Sequence, residues 1–163
     1  MRILAALDLS DVTDNVVSSV RKIAHASSST VILLHVLPEE GQEIDLHPTI
    51  DPHYHPPEKY YHQPDSSEEG ERVPILHDRN FKILQNISDD LNNYGVEAKV
   101  SLVHGNALQV IVEQAEKEQV DLIILGSHGH KNLYHFFVGS VCSGLVNETS
   151  VPVVIVPKAL KKQ

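Results

Sequence analysis

The sequence is short of the residues that staple a chain, span a membrane or grip a polyanion. It has one cysteine, one methionine and no tryptophan in 163 residues. A lone cysteine excludes an internal disulfide and any metal knuckle built on paired cysteines. No run of 18 apolar residues occurs, so no transmembrane helix is expected. The opening apolar run, Ile3 to Leu7, is too short for a secretory signal. These features make a reducing cytoplasm the expected compartment. Positive charge is scarce: 13 Lys and Arg stand against 22 Asp and Glu, a net charge of −9. Nucleic acid and membrane surfaces are thereby excluded as expected main partners, because both call for a cationic face.

What is present is a globular composition, 41% hydrophobic and 21% charged. At this length one domain over residues 1–163 is expected, burying roughly two thirds of the unfolded chain's surface. The negative charge is concentrated. Residues 39–71 hold ten acidic side chains against Lys59 alone, and five of the nine prolines. Outside this segment twelve acids face twelve bases. The segment shows no apolar period of 2 or 3.6, so it reads as a long inserted loop or lobe rather than a second domain.

Elsewhere strands and helices alternate. Residues 3–7 form a short apolar run ending before Asp8, and Ser10 can cap a helix over about 11–27 with Val16, Val17, Val20, Ile23 and Ala24 inward. Val31 to Val36 is unbroken and β-branched, a strand buried on both faces. Phe81, Leu84, Ile87 and Leu91 are spaced for a helix that ends near Tyr94, with Gly95 as its left-handed stop. Val96, Ala98, Val100 and Leu102 alternate with polar residues, as in an edge strand. A helix from near Asn106, a buried strand from Val120 to Leu125, a short helix from Gly139 to about Asn147 and a strand between Pro152 and Pro157 complete the pattern. This order predicts an α/β fold, a five-stranded parallel sheet of order 3-2-1-4-5 with helices on both faces. Its switch point lies between strands 1 and 4, where such sheets bind ligands at the strands' carboxyl ends.

Those ends carry Asp8 and a glycine constellation, Gly126-Ser127-His128-Gly129-His130, followed by Gly139-Ser140-Val141 at a helix start. Glycines let backbone approach a ligand closely. The free N–H groups of a helix N-terminus, with the Ser140 hydroxyl, suit phosphate. No catalytic side chain is needed for such a cradle. The Lys and Ser/Thr of a P-loop are missing after Gly144, and no Gly-x-Gly-x-x-Gly occurs.

Asp8, Leu34-His35-Val36, Asp121 to Gly129, Gly139-Ser140 and Pro152 to Val156 together resemble the universal stress protein family. The resemblance covers residues 2–38 and about 72–158, and its glycines match the ATP-binding branch. It implies a small cytoplasmic homodimer that binds ATP or AMP, with Mg2+, and acts in stress responses with little or no hydrolysis. By position, it implies Ala6 and Leu7 beside adenine, Val36 touching adenine through its backbone, and Asp8 by the ribose. Gly126 and Gly129 would line ribose and phosphates, Gly139, Ser140 and Val141 would bind phosphates, and Ser127 counts with them among the expected nucleotide-binding residues.

Other residues leave alternatives open. His128, His130 and Lys131 either balance triphosphate charge or are simply solvated. His47, His53, His55 and His62 among Asp45, Asp51 and Glu58 make a credible metal or pH-sensing set, but such loops are usually solvated. Cys142 is either a small packing residue or a thiol whose pKa is lowered by its helix start. No Ser-His-Asp arrangement is legible. The leading expectation is an ATP-binding sensor or regulator. The alternatives are a slow nucleotide hydrolase or nucleotidyl-transferring enzyme on the same sheet, and an interaction protein using the acidic 39–71 loop. The uncharged strand Val153 to Val156 is the expected dimer seam.

Overall fold

The computed structural model describes residues 1–38, 74–127 and 139–158. Five strands and four helices alternate: β1 (Arg2–Ala6), α1 (Thr13–Ser27), β2 (Thr30–Leu37), α2 (Pro74–Asn93), β3 (Ala98–His104), α3 (Ala107–Lys117), β4 (Leu122–Gly126), α4 (Ser140–Glu148) and β5 (Val153–Val156). The sheet is parallel throughout, in the order β3-β2-β1-β4-β5. This is the expected order, with β3 at an edge. The 39–71 segment lies outside the described residues.

Side chains alternate across the strands, so the sheet buries both faces. Ile3, Ala5, Leu33 and Ile124 meet α1 and α2 through Val16, Val20, Leu84 and Ile87. Leu4, Ile32, Leu34, Ile123 and Leu125 meet α3 and α4 through Val110, Ile111, Cys142 and Leu145. The crossover from β3 to β4 therefore changes face. Truncating one of the fully buried members, such as Leu4 or Ile124, to alanine would cost about 2–5 kcal/mol.

Three local expectations are corrected. First, α1 begins two residues later than its apolar face suggests. Ser10 forms the preceding turn, with its hydroxyl accepting from the Val12 N–H at 3.3 Å and its carbonyl from the Thr13 N–H at 3.0 Å. Second, Phe81 is 43% exposed, and the inward position beside it is taken by Asn80, which is fully buried. A polar contact at Asn80 sets the rotation of the helix's first half. Third, Val96 is buried but precedes β3. Its N–H donates to the Leu91 carbonyl while the Gly95 N–H donates to that of Asn92. Gly95 takes φ 77, completing the expected left-handed stop of α2.

Candidate functional site

β1 leaves the sheet between β2 and β4, which continue past it. A cavity of about 360 Å³ opens there, within the span of small-ligand sites, about 300–1,000 Å³. Ala6, Leu34, Val36, Ile111 and Leu125 give it apolar walls, and Asp8, Ser127 and Ser140 give it polar groups. Of the residues expected from sequence, Ala6, Leu7, Asp8, Val36, Gly126, Ser127, Gly139, Ser140 and Val141 all line it. His128, Gly129 and His130 lie outside the described residues, as does Lys131.

The strand ends shape the site. After Asp8 the chain turns at Leu9, whose φ of 55 is left-handed. For a leucine that conformation costs roughly 1–2 kcal/mol, offset by complete burial of its side chain. The turn lets the Ser10 N–H donate to Asp8 Oδ1 at 3.0 Å, which holds the carboxylate at the cavity wall. On the opposite side α4 starts at Gly139, which has φ −56 and ψ 158 and brings no side chain to cap the helix. Its N–H donates to the Ser127 carbonyl at 3.0 Å, and the first intrahelical bond runs from the Ser143 N–H to the Gly139 carbonyl. The N–H groups of Ser140, Val141 and Cys142 precede that bond and form the positive end of the helix dipole.

The two glycines of the constellation that lie among the described residues, Gly126 and Gly139, act differently. A Cβ at Gly139 would meet only the Ser127 carbonyl among the described residues, at 3.5 Å, so none of them bars a side chain there. A Cβ at Gly126 would stand 3.0 Å from Val12 Cγ1 and 3.7 Å from Val16 Cγ2. Gly126 is thus small for the sake of α1 packing. Its backbone lines the cavity.

Sequence reasoning missed six lining residues as site residues: Leu34, His35, Ala107, Ile111, Leu125 and Cys142. The change of face by α3 was legible from topology, and would have brought the first turns of α3 over the cavity. His35 is 2% exposed; its Nδ1 lies 2.7 Å from the Leu7 carbonyl and its Nε2 lies 3.3 Å from Asn80 Nδ2. A carbonyl only accepts, so Nδ1 carries a proton, and Nε2 accepts from the amide. Cys142 donates to the Gly126 carbonyl at 3.2 Å. Burial, and secondly the charge of Asp8, push its thiol above the usual 9.0. The lowered pKa that a helix start can give is therefore corrected: desolvation wins. Among the described residues no group of three or more His, Cys, Asp or Glu could hold a metal ion. No described helix is long and apolar enough to cross a membrane.

A doubly wound parallel sheet with a cavity at its switch point defines a class of open α/β folds whose ligands, where they bind any, sit at the strands' carboxyl ends. Within that class the chain belongs to the universal stress protein family, whose family model matches residues 1–157. It is 37% identical over 75 residues to universal stress protein MJ0577 of Methanocaldococcus jannaschii, a match spanning 46% of each chain. The chain therefore spans about half the length of that relative in sequence. The solved structure of MJ0577 aligns over 98% of this chain and 97% of its own, with a TM-score of 0.71 and 26% identity. A universal stress protein in complex with cAMP aligns at a TM-score of 0.65 and 18% identity, over 98% of both chains. One from Archaeoglobus fulgidus in complex with dAMP aligns at 0.64 and 17% identity, over 96% of this chain and 97% of its own. The last two likenesses establish the shared fold.

Proposed function

We propose that this chain is an ATP-binding sensor or regulator of stress responses. It holds the nucleotide, ATP or AMP, with little or no turnover, and works in the cytoplasm as a homodimer. The observation that carries the reading is the N-terminus of α4, with no side-chain cap among the described residues, facing a cavity whose other end is apolar. A flat base suits the walls made by Ala6, Leu34, Val36 and Leu125. Asp8 suits a ribose hydroxyl. Ser140 and Val141 suit phosphate oxygens through their backbone N–H groups and the Ser140 hydroxyl, and Ser127 and Gly139 line the same wall. Structural relatives in complex with cAMP and dAMP support an adenine nucleotide as the ligand class.

Mg2+ fits this reading as a passenger of the triphosphate. Magnesium is commonly held by one or two carboxylates together with substrate phosphates, and Asp8 is the acidic side chain lining the cavity among the described residues. Slow turnover fits the state of two titratable groups that line the cavity among the described residues. Both ring nitrogens of His35 are engaged, and the Cys142 thiol is kept protonated. Neither is a ready base for activating water.

The test is calorimetric titration with ATP, together with mass spectrometry of nucleotide released on denaturation. A micromolar dissociation constant, about −8 kcal/mol, is expected. Gly139→Val should abolish binding while leaving the fold intact, because its side chain enters the space the phosphates need. Equal affinity in both proteins would place the cradle elsewhere. A turnover near the enzyme median of about 10 per second would replace the sensor with a hydrolase.

A further inference from the structure

The rungs of the β1–β2 ladder stop one short of where the backbone could continue them. In β2 the odd residues face β3: the Val31 N–H donates to the Glu97 carbonyl and the Leu37 carbonyl accepts from the Gly105 N–H. The even residues face β1: the Thr30 N–H donates to the Met1 carbonyl and the Leu34 carbonyl accepts from the Leu7 N–H. Parallel pairing repeats every two residues. The next rung would therefore run from the Val36 N–H to the Leu7 carbonyl. That carbonyl is instead occupied by His35 Nδ1–H at 2.7 Å. The ring is 2% exposed, and Asn80 on α2 donates to its other nitrogen at 3.3 Å. The N–H and C=O of Val36 project past the end of β1 with no partner strand among the described residues, and Val36 lines the cavity.

The geometry points to His35 as a positioning residue that takes the Leu7 carbonyl out of the ladder and so leaves the Val36 N–H unpaired for the edge of a bound base. Asn80 is the second member of the device. By donating to Nε2 it fixes the tautomer in which Nδ1 carries the proton. The ligand in this inference rests on the nucleotide reading above; the geometry does not. An N–H and a C=O side by side read a donor and an acceptor on one edge of a heterocycle, as adenine presents.

Residue-resolved amide hydrogen exchange on the intact protein tests it. In the ligand-free wild type, Val36 should exchange at least about tenfold faster than Leu34, one rung back, and saturating ATP should slow it. In His35→Leu the Leu7 carbonyl has lost its donor and captures the Val36 N–H. Val36 should then become protected without ligand, and ATP affinity should fall about tenfold, the scale of one hydrogen bond. His35→Asn, whose amide N–H stands near the position of Nδ1–H, should restore fast exchange and most of the affinity. Loss of packing alone would not slow an amide. The inference is overturned if Val36 is as protected as Leu34 in the free wild type, or if a folded His35→Leu leaves its exchange unchanged. If His35→Leu does not fold, the wild-type comparison and His35→Asn decide. If the wild type binds no ATP yet Val36 behaves as expected, the proposed function falls and the role of His35 in the ladder stands.

Discussion

At the residue scale, the site is made by side chains that satisfy backbone groups where β1 leaves the sheet. His35 serves the Leu7 carbonyl and Cys142 serves that of Gly126. Cys142 carries a pH prediction. Its thiol pKa is raised above 9.0 by burial first and by Asp8 second. A raised folded-state pKa means that the folded protein holds the proton more firmly than the unfolded chain. That contribution is whole below about pH 9 and is lost as pH rises through the folded value. Thermal melts of wild type and Cys142→Ser should therefore run parallel at neutral pH and diverge above pH 9, with the wild type falling faster. Identical alkaline slopes would show that the thiol titrates alike in both states. Asp8, Gly126 and Gly139 were legible in the sequence as residues of the switch-point cavity because the strands' carboxyl ends meet there. His35 and Asn80 were not, because one polar residue on an apolar stripe leaves the hydrophobic period intact. At Gly126, packing against Val12 and close approach of a ligand call for the same residue, so the sequence alone does not separate the two.

At the element scale, the contrast between two helix starts explains which of them is suited to a ligand. Asn106 caps α3, its side chain accepting from the N–H groups of Leu108 and Gln109 at 3.0 and 3.3 Å. Gly139 brings no side-chain cap to the start of α4, and no described residue supplies one, while its backbone is in a conformation that any residue can adopt. Gly139→Asp should therefore act in opposite directions on stability and binding. A capping carboxylate at a helix start adds a few tenths to about 1 kcal/mol, raising the melting temperature. The same carboxylate repels phosphates, so ATP affinity should fall at least tenfold in calorimetry. If both properties moved together, the helix start would not be the phosphate site. The helix stops show the limit of reading from sequence. The stop of α2 is signalled by Gly95, whereas α1 and α3 end on Ser28 and Gln119 with φ of 49 and 50. Nothing local marks those two, because the turn is enforced by the buried segments that follow. Gln119→Gly should relieve the strain and add about 0.5–1 kcal/mol in urea unfolding; no change would mean that the unfolded chain's extra freedom cancels the gain.

At the scale of the whole molecule, the strand order was legible because parallel βα units allow few right-handed topologies and β3 has a visibly wet face. The two sheet edges differ in a way that bears on assembly. β3 carries Lys99, paired to Glu118 at 2.7 Å, and ends at His104, so charge and polarity guard that edge. β5 reads Val-Val-Ile-Val, hydrogen-bonded to β4 on one side, with Val153, Val154 and Ile155 only partly buried. Pro152 and Pro157 bound the strand but leave its middle N–H and C=O groups available. An apolar edge of this kind aggregates unless it is covered. Antiparallel pairing with its own copy across a two-fold axis covers it and closes the assembly at two. Light scattering at micromolar concentration should therefore give twice the protomer mass of 18.1 kDa. Val154→Lys and Ile155→Lys place charge on opposite faces of that strand, and each should shift the protein towards the protomer mass without unfolding it. A wild-type mass of one protomer would exclude the dimer, and a dimer that survives both lysines would place its seam on a surface other than β5.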